Sequence, residues 1–244
     1  MNVDGKVGAH VQTSYRVVQR TLIVDLGARR RVLSSAPQGG GLTYASHILN
    51  HQVEASSTEN GRLAVQFPDP SRTLRKLAGQ LGVGAHTVGL MTAVPMKQLV
   101  TARACAGALW VECFATVGVT NAVCAGEWLA GRARKGAERL GTINLILVTN
   151  GSLSHAAMVG AVQVATESKT GRLRDYAVPS CQSRAAATGT GTDAVVIACR
   201  LRGQGPLCQY SGTHTIIGAL IGRVVAHCVT EGLKKARAWH TQHR

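Results

Sequence analysis

The sequence predicts an α+β fold: one domain in which a mixed or antiparallel sheet, or sheets, is flanked by helices. Three observations predict it. Strand-like and helix-like segments alternate irregularly, and several strand-like runs follow one another directly, unlike a regular βαβ series. No internal repeat and no long polar linker divides the 244 residues. Composition is globular, 45% apolar with only 4% aromatic residues, so Val, Leu, Ile and Ala must build the core. The boundaries drawn are a flexible N-terminus at 1–15, one domain at 16–236 and a basic C-terminal tail at 237–244.

Thr21 to Leu26 (TLIVDL) reads as a strand, and a second short strand ends at Ser34-Ser35-Ala36-Pro37. After Gly39-Gly40-Gly41, the apolar residues Leu42, Ala45, Leu49 and Val53 recur at helical spacing. Bare backbone N–H groups of Gly40 and Gly41 at such a helix start would suit an anion or a carbonyl oxygen. Asp69-Pro70-Ser71 is a helix start with Asp as N-cap, Leu74, Leu77, Ala78 and Leu81 form its stripe, and Gly82 ends it. Val88 to Val94 reads as a strand stopped by Pro95, and the apolar run Leu99 to Val119 ends in a buried strand. The central unit is a strand at 142–149 and a helix from Ser154 to Thr170, with Met158, Ala161, Val162 and Ala165 inward. Ala194 to Cys199 is a further strand, and a last helix buries Ile217, Leu220, Ile221, Val224 and Cys228. Lys234, Lys235 and Arg237 sit near its C-terminus, where the helix dipole favours cations.

Net charge is +15, from 27 Lys+Arg against 12 Asp+Glu, which attracts anions nonspecifically. The basic residues are dispersed and no nucleic-acid motif accompanies them, so a solvated basic surface is expected and nucleic acid is not an expected partner. Seven cysteines, an odd number without a C-x-x-C pair, lie mostly in apolar runs as small hydrophobes. With no apolar leader in MNVDGKVGAH and no run of about 18 apolar residues, membrane insertion is not expected and a reducing cytoplasm is.

Chemistry concentrates between Gly141 and Thr170 and in TGTGTD at 188–193. Asparagine gains nothing in a buried strand unless its hydrogen bonds are replaced, so Asn144 and Asn150 on an apolar run are structural ties or a site. TGTGTD offers glycines for close approach and hydroxyl and carboxylate oxygens from Thr188, Thr190, Thr192 and Asp193; an aspartate and a strand follow, which excludes a P-loop. The same segment is equally a tight turn satisfied by its own hydroxyls. Thr142, after a glycine at a strand start, is placed as a nucleophile would be, although strand threonines are common. Glu127 and Glu167 would suit acid–base work if burial raised their pKa, and are otherwise exposed charges. His214 could protonate a leaving amine, or simply close a turn. His47 and His51 stand four apart without a third ligand, so no metal site is assigned.

Taken together, VLSSAPQGGGL (32–42), HILNHQV (47–53), VGLMTAVPM (88–96), FATVGVTNAVCAGE (114–127) and GTINLILVTN (141–150) resemble the adenosylcobinamide amidohydrolase family, the CbiZ type. AMVGAVQVATESKT (157–170), ATGTGTDAVVI (187–197) and SGTHTIIGALIG (211–222) continue the series in order. The resemblance implies a corrinoid-salvage hydrolase that cleaves the amide between the corrin propionate and the aminopropanol arm, giving adenosylcobyric acid. It implies no added cofactor, since the corrinoid substrate carries its own cobalt. A basic loop at 131–139 and residues 200–209 depart from the pattern and could alter which corrinoid enters. Thr142, its strand, Thr149-Asn150 and TGTGTD are also similar to the ornithine acetyltransferase group, which implies a threonine nucleophile, self-cleavage at Gly141–Thr142 and a layered α/β/β/α arrangement.

The assignments that follow make Thr142 the attacking group, with Gly118 or Gly189 backbone at the oxyanion and His214 or Glu127 as the acid; Glu127 or Asp193 would instead activate water directly. Asn121, Asn144, Asn150, Thr188, Thr190 and Thr192 would bind the corrin amides, beside Gly40 and Gly41. The rival readings are a self-processing threonine acyltransferase on small amino-acid derivatives, a non-catalytic corrinoid-binding protein and a nucleic-acid-binding protein. Homo-oligomer formation is left open.

Overall fold

A seven-residue strand without a single exposed position, INLILVT, forms the middle of the protein; the computed structural model describes residues 7–53, 69–84, 86–127 and 141–242 around it. In chain order the elements are β1 (Tyr15–Val18), β2 (Thr21–Ser34), β3 (Gly41–Gln52), α1 (Pro70–Gln80), β4 (Thr87–Thr92), a 3₁₀ turn (Met96–Gln98), β5 (Val100–Ala106) and β6 (Leu109–Val117). They continue with β7 (Ala122–Val123), β8 (Ile143–Thr149), β9 (Ser152–Leu153), α2 (His155–Asp175), β10 (Gly189–Thr190), β11 (Ala194–Cys199), β12 (Leu207–Cys208) and α3 (Ile216–Gln242). The main sheet runs β4-β3-β2-β11-β8-β6-β5, with β1 beside β2; β3–β4 and β11–β8 are parallel and the other pairs antiparallel. The α+β expectation holds.

This one sheet folds into two layers because the β2–β3 ribbon bends where its register shifts between Asp25 and Arg30. Gly27, at φ 68°, turns the β2 backbone there, a conformation that side chains bearing a Cβ adopt poorly. The Arg31–Ser34 half of β2 pairs with β11, while its other half, with the end of β3 and β4, packs across β8. Val24, Ile48 and Leu90 of that outer layer meet Phe114, Ile146, Val148 and Val196. On the other face, Ile143, Leu145 and Leu147 pack against α2 and α3. Helix α1 covers the outer layer over Ile23 and Leu49. The order is α/β/β/α.

Local chemistry explains the helix ends. Asp69 accepts from Arg72 N to cap α1, and Ser154 accepts from Ala157 N to cap α2, each cap worth about 1 kcal/mol. By length and composition α3 could cross a membrane, but its apolar residues Ile217, Leu220, Val224 and Cys228 are buried in the protein's own core. All seven cysteines are free thiols.

The structure differs from the sequence expectations at several points. Gly41–Gln52 is the strand β3, where the spacing of Leu42, Ala45, Leu49 and Val53 predicts a helix, so Gly40 and Gly41 lead from the turn after β2 into β3 and head no helix. TLIVDL and the following short strand are one continuous β2. Within the expected flexible N-terminus, Gly8 bridges Arg103, and Gln12 N and Thr13 N donate to Glu112. Helix α3 continues through residues 237–242, drawn as a tail. The basic loop at 131–139 lies outside the described residues.

Candidate active site

Strand β8 alternates faces, so Asn144 points with Ile146 and Val148 into the space between the two β layers. Thr142, two residues before Asn144 and 4% exposed, lies at the mouth of that space. Its Oγ1 is 2.8 Å from Thr192 O and 3.3 Å from Asn144 Oδ1, and its one proton goes to the nearer carbonyl. Asn144 spends both amide protons across the layers, on Asn50 Oδ1 at 2.9 Å and Met91 O at 2.8 Å. Asn50 Nδ2 donates to Thr116 Oγ1 at 3.0 Å, and Thr116 reaches Thr92 Oγ1 at 3.4 Å. Asn50, Asn144, Thr116 and Thr92 are at most 1% exposed. Amides buried so deeply cost several kcal/mol each unless paired, and here each amide finds partners.

A second set of bonds fixes the backbone at Thr142. Asp193 accepts from Ile143 N at 2.9 Å, from Thr190 N at 3.0 Å and from Thr190 Oγ1, and ion-pairs with Lys169. Lys169 is 6% exposed on the inward stripe of α2, four residues beyond Ala165. A Cβ on Gly189 would lie 2.6 Å from Asp193 Oδ2 and 2.8 Å from Lys169 Nζ, so glycine is what lets the pair close. Thr192 Oγ1 donates to Gly141 O at 3.2 Å, and Gly118 N donates to Thr142 O at 2.9 Å. A Cβ on Gly141 would stand 2.7 Å from both Asn121 Oδ1 and Thr120 Oγ1. The Asn121 oxygen is buried without a hydrogen-bond partner.

The structure therefore brings Thr142, Asn144, Asn121, Thr190, Thr192 and Asp193 to one end of β8. Thr188 is close by through β10, its Oγ1 accepting from Ala125 N at 2.8 Å and its carbonyl from Thr170 Oγ1 at 2.9 Å. Gly189 and Gly118 are there too, but the Gly118 N–H is already committed to Thr142.

Other expected residues go elsewhere. Asn150 is at the far end of β8, where it accepts from Trp110 N and donates to Ala108 O, a tie between loops. His214 is exposed just before α3. Gly232, eighteen residues on, is the α3 residue against Val117, which pairs with Ile143. At about 1.5 Å per residue, His214 lies about 27 Å along the helix from that end. The departure at 200–209 is also at the far end, since Ser152 N donates to Pro206 O and β12 pairs with β9. Glu127 clamps two loops, accepting from Ser180, Ser183 and Cys124 N. Those bonds, Ser180's first, hold its carboxyl below the usual glutamate value, opposite to the rise that burial would give. Glu167 is exposed and accepts from Gln163 Nε2.

His47 and His51 sit on β3; His51 Nδ1 is 2.8 Å from Thr21 Oγ1, and His47 Nε2 is 3.8 Å from Asp25. No group of three metal-capable side chains occurs among the described residues. Sequence reasoning missed Asn50, Thr116 and the role of Lys169. Only Lys169 left a local signal, as the charge on an otherwise apolar helix stripe.

Comparison with known proteins places this geometry in a family. An uncharacterized protein of Methanocaldococcus jannaschii is 28% identical over 236 residues, covering 88% of this chain and 86% of that protein. A Methanosarcina mazei protein named adenosylcobinamide amidohydrolase is 29% identical over 227 residues, covering 90% and 97%. Among solved structures, a Pyrococcus horikoshii OT3 protein is similar over 94% of this chain and 80% of its own, at TM-score 0.44 and 8% identity. A Burkholderia sp. beta-aminopeptidase is similar over 95% and 83%, at TM-score 0.42 and 9% identity. Neither fold likeness is close enough to bear on function. A family model described as adenosylcobinamide amidohydrolase matches residues 6–241, and the chain, an amidohydrolase, belongs to that family.

Proposed function

We infer that the protein hydrolyses the amide joining the corrin propionate of adenosylcobinamide to its aminopropanol arm, yielding adenosylcobyric acid, and that Thr142 is the nucleophile. One observation carries the assignment: the Thr142 hydroxyl, donating to Thr192 O, lies 3.3 Å from Asn144 at the end of a buried amide network, while the backbone on both sides of it is pinned by Thr192, Gly118 and Asp193. A group held within about 0.5 Å of its working position by such a shell is what acyl transfer needs. Thr142 Oγ1 adds to the amide carbonyl, the amine leaves with a proton, and water cleaves the resulting ester. Asn121, with its amide at the Gly141 position, supplies the donor for the developing oxyanion when its Nδ2 faces inward. The groups invoked are the chain's own, and the cobalt arrives with the substrate.

The base is the remaining requirement. Around Oγ1 stand two neutral acceptors; Asp193 has its oxygens taken, Glu127 is tied to Ser180, Ser183 and Cys124 N with its carboxyl held below the usual glutamate value, and His214 is remote. The α-amine of Thr142 itself meets the need once the Gly141–Thr142 bond is hydrolysed. In that step Thr142 Oγ1 attacks Gly141 C, whose oxygen already accepts from Thr192 Oγ1; the acyl group shifts to oxygen, and water releases a Gly141 carboxylate and a free Thr142 amine.

Incubating the purified chain with adenosylcobinamide under reducing, neutral conditions and weighing the products tests the reaction. Thr142→Ala should lower turnover at least about 1,000-fold, and near-full activity would eliminate the nucleophile. Intact mass tests the base separately: two fragments meeting at residue 142 are expected in the wild type and one chain in the variant. An active wild type that stays intact would retain Thr142 and discard the amine.

A further inference from the structure

The bend in the β2–β3 ribbon leaves a cavity of about 280 Å³, and both Arg30 and Arg200 line it. Arg30 is 5% exposed. Its Nε donates to Leu26 O at 3.0 Å and Nη1 to Thr149 O at 2.7 Å, which leaves further N–H donors of the five. Arg200 is half-buried at the end of β11. Among the described residues neither guanidinium forms an ion pair. Burial, and then the like charge of Arg200, pull Arg30 down to about 10. A buried charge costs several kcal/mol unless its partners compensate, and two backbone carbonyls compensate only in part.

Two carboxylates are near, and both are engaged. Glu112, fully buried, accepts from Gln12 N at 2.6 Å and Thr13 N at 3.1 Å and pairs with Arg103. Asp25, on the cavity wall, accepts from Gly27 N at 2.9 Å and faces His47 at 3.8 Å. The cavity thus holds two under-neutralised guanidinium groups with Thr13 and Ser14 on its rim and Trp110 as an aromatic wall. Planar forks of this kind match the oxygens of a phosphate.

We propose that this cavity is a second ligand site, which takes a small molecule bearing a phosphate group, the phosphate seated between Arg30 and Arg200. Its volume exceeds that of a bare phosphate and approaches the roughly 300 Å³ lower bound of small-molecule clefts, so a compact organic body fits beside Trp110. Thr149, the residue Arg30 holds, is seven residues from Thr142, about 23 Å along an extended strand. The site is therefore apart from the Thr142 cluster and independent of the reaction inferred there.

The test uses the full chain, with calorimetry and thermal melts in sodium phosphate, in adenosine monophosphate and in sodium chloride at matched ionic strength. Arg200→Ala removes one arm of the site from a half-buried position; Arg75→Ala, an exposed charge on α1, controls for the general attraction of a +15 protein. Phosphate should raise the melting temperature of wild type and Arg75→Ala beyond chloride. Arg200→Ala should lose the shift and bind phosphate at least tenfold more weakly. Tighter binding of the nucleotide than of phosphate would mean the organic body is also recognised, and equal binding that the phosphate alone is. A phosphate shift no larger than chloride's, or one that Arg200→Ala retains, overturns the proposal.

Discussion

Replacing Lys169 by Met is the most informative single change at the candidate site. It leaves Asp193, 12% exposed at its side chain, without its ion-pair partner. Breaking a buried pair from one side costs about 3–5 kcal/mol. Asp193 keeps the Ile143 and Thr190 donors, so the lower end applies, about 3 kcal/mol of folding stability. Urea unfolding followed by circular dichroism measures this. The change reaches the reaction as well, because the carboxylate that relaxes is the one holding Ile143 N, one residue from Thr142. A displacement of about 1 Å at a reacting group costs on the order of 100-fold in rate, read as aminopropanol released from adenosylcobinamide at temperatures where the variant is still folded. Asp193→Asn and the double variant complete a cycle, with a coupling of about 1–3 kcal/mol expected for residues in contact. If Lys169→Met unfolds within about 1 kcal/mol of wild type and keeps its rate, the pair does not position Thr142.

Two further outcomes follow from the positions of expected residues. His214→Gln should leave turnover within about twofold, since a group about 27 Å from the Thr142 end of β8 cannot reach a leaving amine there; a large loss would reinstate it. Glu127→Gln should destabilise the loop clamp at neutral pH. Because the folded carboxyl titrates below its usual value of 4.5, its contribution is present above that value and fades as pH falls through the folded pKa. Melts of wild type and variant should therefore converge in acid, and a gap that persists or widens there would contradict the bonding described.

The parts of the fold legible in the sequence are the helices with one buried stripe and the short apolar runs bounded by turn residues. Helix α1, with its Asp69 cap, and α3, with Ile217, Leu220 and Val224, carry plain helical spacing, and the wholly buried, mostly apolar β8 and β11 are short runs bounded by turn residues. Strand β3 was illegible for a physical reason. Ile48 faces one core and Leu49 the other, so both sides are buried and no alternation of polar and apolar remains. Leu42 and Ala45 then mimic a helix period by chance. The candidate site divides in the same way. Thr142, Asn144 and Asp193 stand out as polar groups in or beside apolar strands. Asn50 meets Asn144 from 94 residues away and gives no local sign of it. Asn150 looks like Asn144 in sequence, yet seven residues of strand separate the ends they occupy.

The amide and hydroxyl bonds running from Asn144 through Asn50 to Thr116 and Thr92 have a consequence for assembly of the sandwich. Apolar surfaces slide over one another at little cost, whereas these four side chains match in one alignment only. Were the outer layer to dock a single step out of place, at least two amides would be stranded in oil. The greasy interior draws the sheets together, and this thread of polar groups dictates where they stop.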